Sequence, residues 1–159
     1  MTRLLILTAT VFALVAWQPG PAWADYKTDL AKLLPNTPEG WKAISEPTWR
    51  ASGAGGRAFN AWRKLKGAGS VEVIYQWKPI SLDRTKSMMS SRSRAKQMRW
   101  QHVELNGKKW MLRQGKKSTF LQTVIGDNLV VFAQSFDAER SDVETFAKAV
   151  PYDKLKGVQ

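Results

Sequence analysis

The chain has no cysteine. That excludes disulfides, thiolate metal sites, thiol redox chemistry and a lipid anchor on a cysteine. It has one histidine, His102. Transition-metal sites want clustered imidazole or thiolate ligands, so these two scarcities together argue against one, and no cofactor is expected. Acid is nearly absent from the middle: between positions 84 and 117 stand eleven Lys or Arg and a single acid, Glu104. Long apolar runs are also missing. The longest, Leu4 to Ala16, carries two threonines and is too short to span a hydrocarbon core of about 30 Å as a helix.

That run reads as part of a secretory signal peptide over residues 1–24. Arg3 gives the positive start, Pro19-Gly20-Pro21 breaks the apolar stretch, and Ala22-Trp23-Ala24 supplies the A-x-A cleavage pattern. Cleavage after Ala24 leaves one domain over 25–159, exported to the periplasm, with no transmembrane span in the mature part. A domain of that size buries roughly two-thirds of its unfolded surface. Without disulfides it holds together by packing alone.

The remaining pattern predicts an α+β domain: an antiparallel sheet of about six strands, a hairpin plus a four-strand meander, packed against N-terminal, middle and C-terminal helices. Asp25 can cap a helix over Tyr26–Leu34 that Pro35 stops. Trp41–Arg50 reads as an irregular first strand, which Pro47 makes either an edge strand or a bulged one. Residues 51–56 form a glycine-rich loop without the Lys-Ser/Thr of a phosphate cradle. Residues 57–65 and 71–78 pair around Gly67-Ala68-Gly69, with Val71, Val73, Tyr75 and Trp77 on one face. Residues 81–98 are expected as one helix, with Ser81 or Asp83 capping and Met88, Met89, Ala95 and Met98 as its apolar stripe.

Asn106-Gly107 joins strands 100–105 and 108–113, the strongest short hairpin signal. Strands 118–125 and 128–136 flank a turn at Gly126-Asp127-Asn128. Ser141 and Glu144 have capping-box spacing before a helix with Val143, Phe146, Ala147 and Val150 on one stripe. Tyr152–Leu155 reads as a short packed tail.

The phrase Leu34-Pro35…Pro38-Glu39-Gly40-Trp41 resembles the opening of a broad set of small periplasmic bacterial proteins. Asn106-Gly107-Lys108-Lys109-Trp110, Val124 to Val131 and the ending near Tyr152-Asp153-Lys154-Leu155 carry the same resemblance. The layout is also similar to the PsbP/Mog1-like sandwich. The resemblance implies an antiparallel sheet between helices and a periplasmic setting, and it carries no catalytic residues.

Two constellations could bear function. If Trp100–Glu104 is a strand, His102 and Glu104 share a face, and could pair as general base and orienter in an envelope hydrolase; no nucleophile with matching spacing accompanies them. The carboxylates Asp137, Glu139, Asp142 and Glu144 do not match a calcium loop and suit a helix N-terminus. The basic stretch carries a net charge of +10 over 34 residues, more than solubility requires of a small domain. Arg92, Arg94, Lys96, Arg99, Lys108, Lys109, Arg113, Lys116 and Lys117, with Trp100 and Trp110 interleaved, are the expected partner-binding residues. Cations neutralise fixed anions, and tryptophan stacks on flat groups or sits at a headgroup interface.

The expectation is a non-catalytic periplasmic accessory protein that docks an anionic protein, lipid headgroup or envelope polymer. A solvated basic face with both tryptophans in the core is the plainer alternative. A carrier of a small apolar ligand between sheet and helices, and the His102/Glu104 hydrolase, are the others. Nucleic acid fits the charge but not an exported protein.

Overall fold

A computed structural model describes residues 29–52 and 58–157. The expected signal peptide, the start of the first helix at 25–28 and most of the glycine-rich loop lie outside the described residues, as do the side chains of Trp49 and Trp62.

The described chain is α+β, with one open antiparallel sheet. The elements in order are α1 (helical at 29–32), β1 (Lys42–Ala43), β2 (Thr48–Ser52), β3 (Ala58–Lys66), β4 (Ser70–Trp77), α2 (Leu82–Ser90) and α3 (Arg92–Gln97), then β5 (Gln101–Leu105), β6 (Lys108–Gln114), β7 (Thr119–Ile125), β8 (Leu129–Ser135), α4 (Arg140–Lys148) and α5 (Tyr152–Lys156). Along the sheet the order is β1/β2, β3, β4, β8, β7, β6, β5. The meander of the last four strands is thus joined to the β3–β4 hairpin by β8 pairing with β4.

β1 and β2 both pair with β3 and together fill one edge position, so the sheet has seven positions, one more than the expected six. Lys42 faces Lys66, but Thr48 faces Trp62. The register slips by two residues between them, across Ser45-Glu46-Pro47. Proline has no N–H for the ladder, so the edge strand bulges where Pro47 sits.

The turns follow their residues. Asn106 and Gly107 take φ of 51° and 68°, as a type I′ turn requires. Gly40 at φ 79° lets the Trp41 N–H donate to the Pro38 carbonyl. Trp41 then stands edge-on to Phe146, with ring centroids 4.8 Å apart.

Helices cover both faces of the sheet. On the back face, α1, α4 and α5 close a large core. It takes the alternating Val71, Val73, Tyr75 and Trp77 of β4, together with Trp110, Leu112, Leu121, Val131 and Phe146. The hydroxyl of Tyr75 donates to the Leu33 carbonyl at 2.9 Å, tying the end of α1 to the sheet. Burial pushes that hydroxyl's pKa far above its ordinary value. On the front face a smaller core joins Met88, Ala95, Trp100 and Met111 beneath α2 and α3. A single strand feeds both, because Trp110 and Met111 point to opposite sides of β6.

Two local expectations fail. The helix predicted over 81–98 is two helices. Ser91 is extended at φ −128° and ψ 111°, and its hydroxyl accepts the Arg94 N–H to start α3. A serine cluster offers side-chain bonds that compete with the helix, and here it breaks it. Ser81 precedes α2 without capping it through its side chain. The capping box at Ser141 and Glu144 is also absent. α4 begins at Arg140, one residue before Ser141, and Glu144 instead accepts a 2.7 Å bond from Arg140.

Candidate functional site

The front face of β5 and β6, with α3 lying along β5, gathers most of the basic stretch. α3 is six residues, Arg92-Ser-Arg-Ala-Lys-Gln97. Ala95 is its buried anchor against Trp100 and Met111. The helix is too short and too polar to persist alone, so packing on that alanine holds it. Arg92, Arg94 and Lys96 are left exposed, with Arg99 in the turn that follows.

That turn has a specific geometry. The Arg99 N–H donates to the Lys96 carbonyl, and the Trp100 N–H to the Ala95 carbonyl. This is the Schellman pattern, with Trp100 and Ala95 making its apolar contact. Arg99 occupies the left-handed position at φ 61°, where glycine is usual. The turn reverses the chain so that Trp100 enters the front core.

Lys109 and Arg113 arise from β6, on the same side as Met111. The guanidinium carbon of Arg113 lies 4.9 Å from the centroid of Trp100 and 4.9 Å from that of Phe120. Phe120 in turn meets Phe136 edge-on at 5.3 Å, and Phe136 is 66% exposed. A cation held over ring faces is worth about 0.5–1 kcal/mol when exposed. Among the described residues, Arg92, Arg94, Lys96, Arg99, Lys109, Arg113, Lys116 and Lys117 form no ion pair. Arg94 is steadied by the Ser87 hydroxyl.

The expected site residues therefore separate. Arg92, Arg94, Lys96, Arg99, Lys109 and Arg113 come together on the front. Lys116 and Lys117 are exposed in the β6–β7 turn. Lys108 does not join them: it projects from the back of β6, 3.5 Å from Asp153 and over the Tyr152 ring at 4.9 Å. There it lines an open cleft of about 410 Å³ with Lys148 and Lys154. Trp110 is a core residue, 1% exposed, and out of reach of a docked partner. Trp100 is 8% exposed, with the Arg113 guanidinium over its ring. Alternation along β6 decides both corrections: two neighbours in sequence, Lys108 and Lys109, stand on opposite faces. Phe120 and Phe136 were not among the expected site residues. Register alone pairs Phe120 with Arg113.

His102 is on the front face, where its Nε2 lies 2.8 Å from the Met88 carbonyl. With the proton on Nε2, the ring donates to one of the last carbonyls of α2 and pins that helix to β5. No hydrogen bond among the described residues joins His102 to Glu104. The two line a hollow of about 230 Å³ with Arg92, Val103 and Lys109. The acidic cluster is likewise structural in its bonds. Ser70 N–H donates to Asp137 at 2.7 Å, and Ser135 Oγ accepts the Asp137 and Ala138 N–H groups. The Ser70 bond, with Lys66 and the hydroxyls nearby, holds the Asp137 carboxyl below its ordinary pKa. No group of three His, Asp or Glu among the described residues is placed to hold a metal, and no described helix is long and apolar enough to cross a membrane.

No protein-family model, curated protein or solved structure matches this chain.

Proposed function

We propose that this protein is a non-catalytic periplasmic binding or accessory protein that docks an anionic partner through the front face of α3 and β6. The observation that carries the reading is the set of six exposed cations, Arg92, Arg94, Lys96, Arg99, Lys109 and Arg113, on one side of the sheet without an ion pair among the described residues. Unpaired like charges repel one another, so an arrangement that concentrates them has a use in an opposing charge. The Arg113 guanidinium, held between two rings, presents a planar donor set suited to carboxylate or phosphate.

The partner is an acidic protein, an anionic lipid surface or an envelope polymer. The test is retention of partners from periplasmic extract at two salt concentrations, by the native protein and by the triple variant Arg92→Glu, Lys96→Glu, Lys109→Glu. Exposed charges are screened beyond about 8 Å at physiological ionic strength, so retention falls steeply with salt, and the triple variant retains nothing. Salt-independent retention, or retention by the variant, refutes the reading.

A further inference from the structure

The sheet ends differently at its two edges. The β1/β2 edge is broken by the two-residue slip at Pro47, a device that keeps other strands from pairing with it. The β5 edge has no proline, no bulge and an unbroken register with β6 from Gln101 to Leu105.

The register also says which main-chain groups are free. Leu105 faces Lys108 across the two-residue turn. In such a hairpin the closing pair exchanges both of its hydrogen bonds, and pairs then alternate. Leu105, Val103 and Gln101 therefore direct N–H and C=O toward β6. His102 and Glu104 direct theirs outward. Among the described residues no strand lies beyond β5, and no main-chain bond outside the ladders reaches those groups.

We infer that the free edge of β5 receives an extended acidic segment of a partner protein by strand addition. The inference rests on the docking reading above and names the kind of partner. Side chains of an added strand alternate between faces. Those opposite His102 and Glu104 fall on the front, beside the exposed and unpaired Arg92 and Lys109 that line the hollow there. Those opposite Val103 fall on the back, where Val103 is only partly covered by the large core. The segment that fits alternates acidic with small apolar or β-branched residues. Main-chain bonds supply register, and the two cations choose the charge. Glu104 is the one acid of the edge and repels such a segment, which keeps the contact reversible.

The test uses a fluorescein-labelled peptide alternating glutamate with valine and threonine, and a second peptide of the same sequence with alternate residues N-methylated. N-methylation removes the strand-pairing donors without altering charge. The unmodified peptide binds the full-length protein, the N-methylated one about tenfold more weakly or worse, as expected for loss of one or more main-chain bonds. Glu104→Gln tightens binding of the unmodified peptide, because a like charge is gone. Glu104→Pro weakens it about tenfold, because an outward N–H is gone while the bonds to β6 remain. Equal binding of both peptides, still abolished by salt, overturns strand addition and leaves the charged face standing. Binding of phosphatidylglycerol vesicles with neither peptide bound overturns it in favour of a lipid surface. No binding of either peptide at low salt overturns strand addition, while the docking reading stands or falls on the retention test above.

Discussion

The guanidinium of Arg113 lies over the ring of Trp100, with 4.9 Å between them. This contact links the front core to the surface, since Trp100 is buried and Arg113 is exposed. Arg113→Ala removes a cation from two ring faces at once and costs about 1 kcal/mol of stability. Arg113→Lys restores only part of it, because an ammonium does not stack as a planar guanidinium does. Urea unfolding followed by tryptophan fluorescence checks both.

Arg99 sits where a glycine would be easier. A left-handed residue with a Cβ costs roughly 1–2 kcal/mol, and glycine avoids most of that. Arg99→Gly is therefore more stable than Arg99→Ala by about 1 kcal/mol, although glycine is the more flexible in the unfolded chain. Both variants lose the same charge, so both bind an anionic partner equally and less well than the native protein. Paired thermal melts and binding curves separate the two effects. A side chain kept at a strained position is consistent with a use on the partner side.

The Nε2 bond from His102 to the Met88 carbonyl gives the only histidine a structural task. His102→Ala leaves that carbonyl without its partner and costs about 1 kcal/mol. Its effect is local. Amide exchange quickens in α2 and α3, where helix ends depend on that tie, and not in β4 or β8 of the large core.

The strands were legible in the sequence because alternation is a local signal. Val71, Val73, Tyr75 and Trp77 announce a buried face of β4, and Asn106-Gly107 announces the turn between β5 and β6, without reference to the rest of the chain. That the strand around Pro47 lies at an edge or bulges was legible for the same reason, since a missing N–H is a property of one residue; the two-residue slip that splits it into β1 and β2 was not. What was not legible depends on distant partners. Whether Trp110 or Met111 faces the larger core is decided by where α1, α4 and α5 settle. That decision sends Lys108 to the back and Lys109 to the front. The expected capping box failed because the chain before α4 is organised by Ser135 and Asp137 instead. Asp137 reaches Ser70, 67 residues away in sequence. The break at Ser91 falls between. Four serines from 87 to 93 signal weak helix, but only the bond from Arg94 N–H to Ser91 picks the place.

Tyr75 donates its buried hydroxyl to the Leu33 carbonyl. Tyr75→Phe keeps the ring's packing and leaves that carbonyl unpaired, costing about 1 kcal/mol. The loss is concentrated at α1, whose end that bond secures. Faster proteolysis near Leu33–Pro35, with the melting of the sheet little changed, is the expected signature.

Asp137 makes the fold sensitive to acid. Its carboxylate accepts the Ser70 N–H at 2.7 Å, and Lys66 stands 3.9 Å away. The approach is tight: a Cβ on Gly69 would sit 2.5 Å from the Ala138 Cα, so only glycine lets the β3–β4 turn close on this corner. The folded carboxyl is held below its ordinary value of 3.8. Above that value the group is ionised folded or unfolded, and its bonds count in full. As pH falls below it, the unfolded chain takes the proton first and stability drops. Once the folded carboxyl is protonated too, the contribution is gone. The native protein therefore exceeds Asp137→Asn in stability at neutral pH, and the gap closes as pH falls through the acid range below 3.8. Urea unfolding of both proteins from neutral pH down to that range measures the gap directly; a constant difference would mean that the charge on Asp137 contributes nothing to holding the turn.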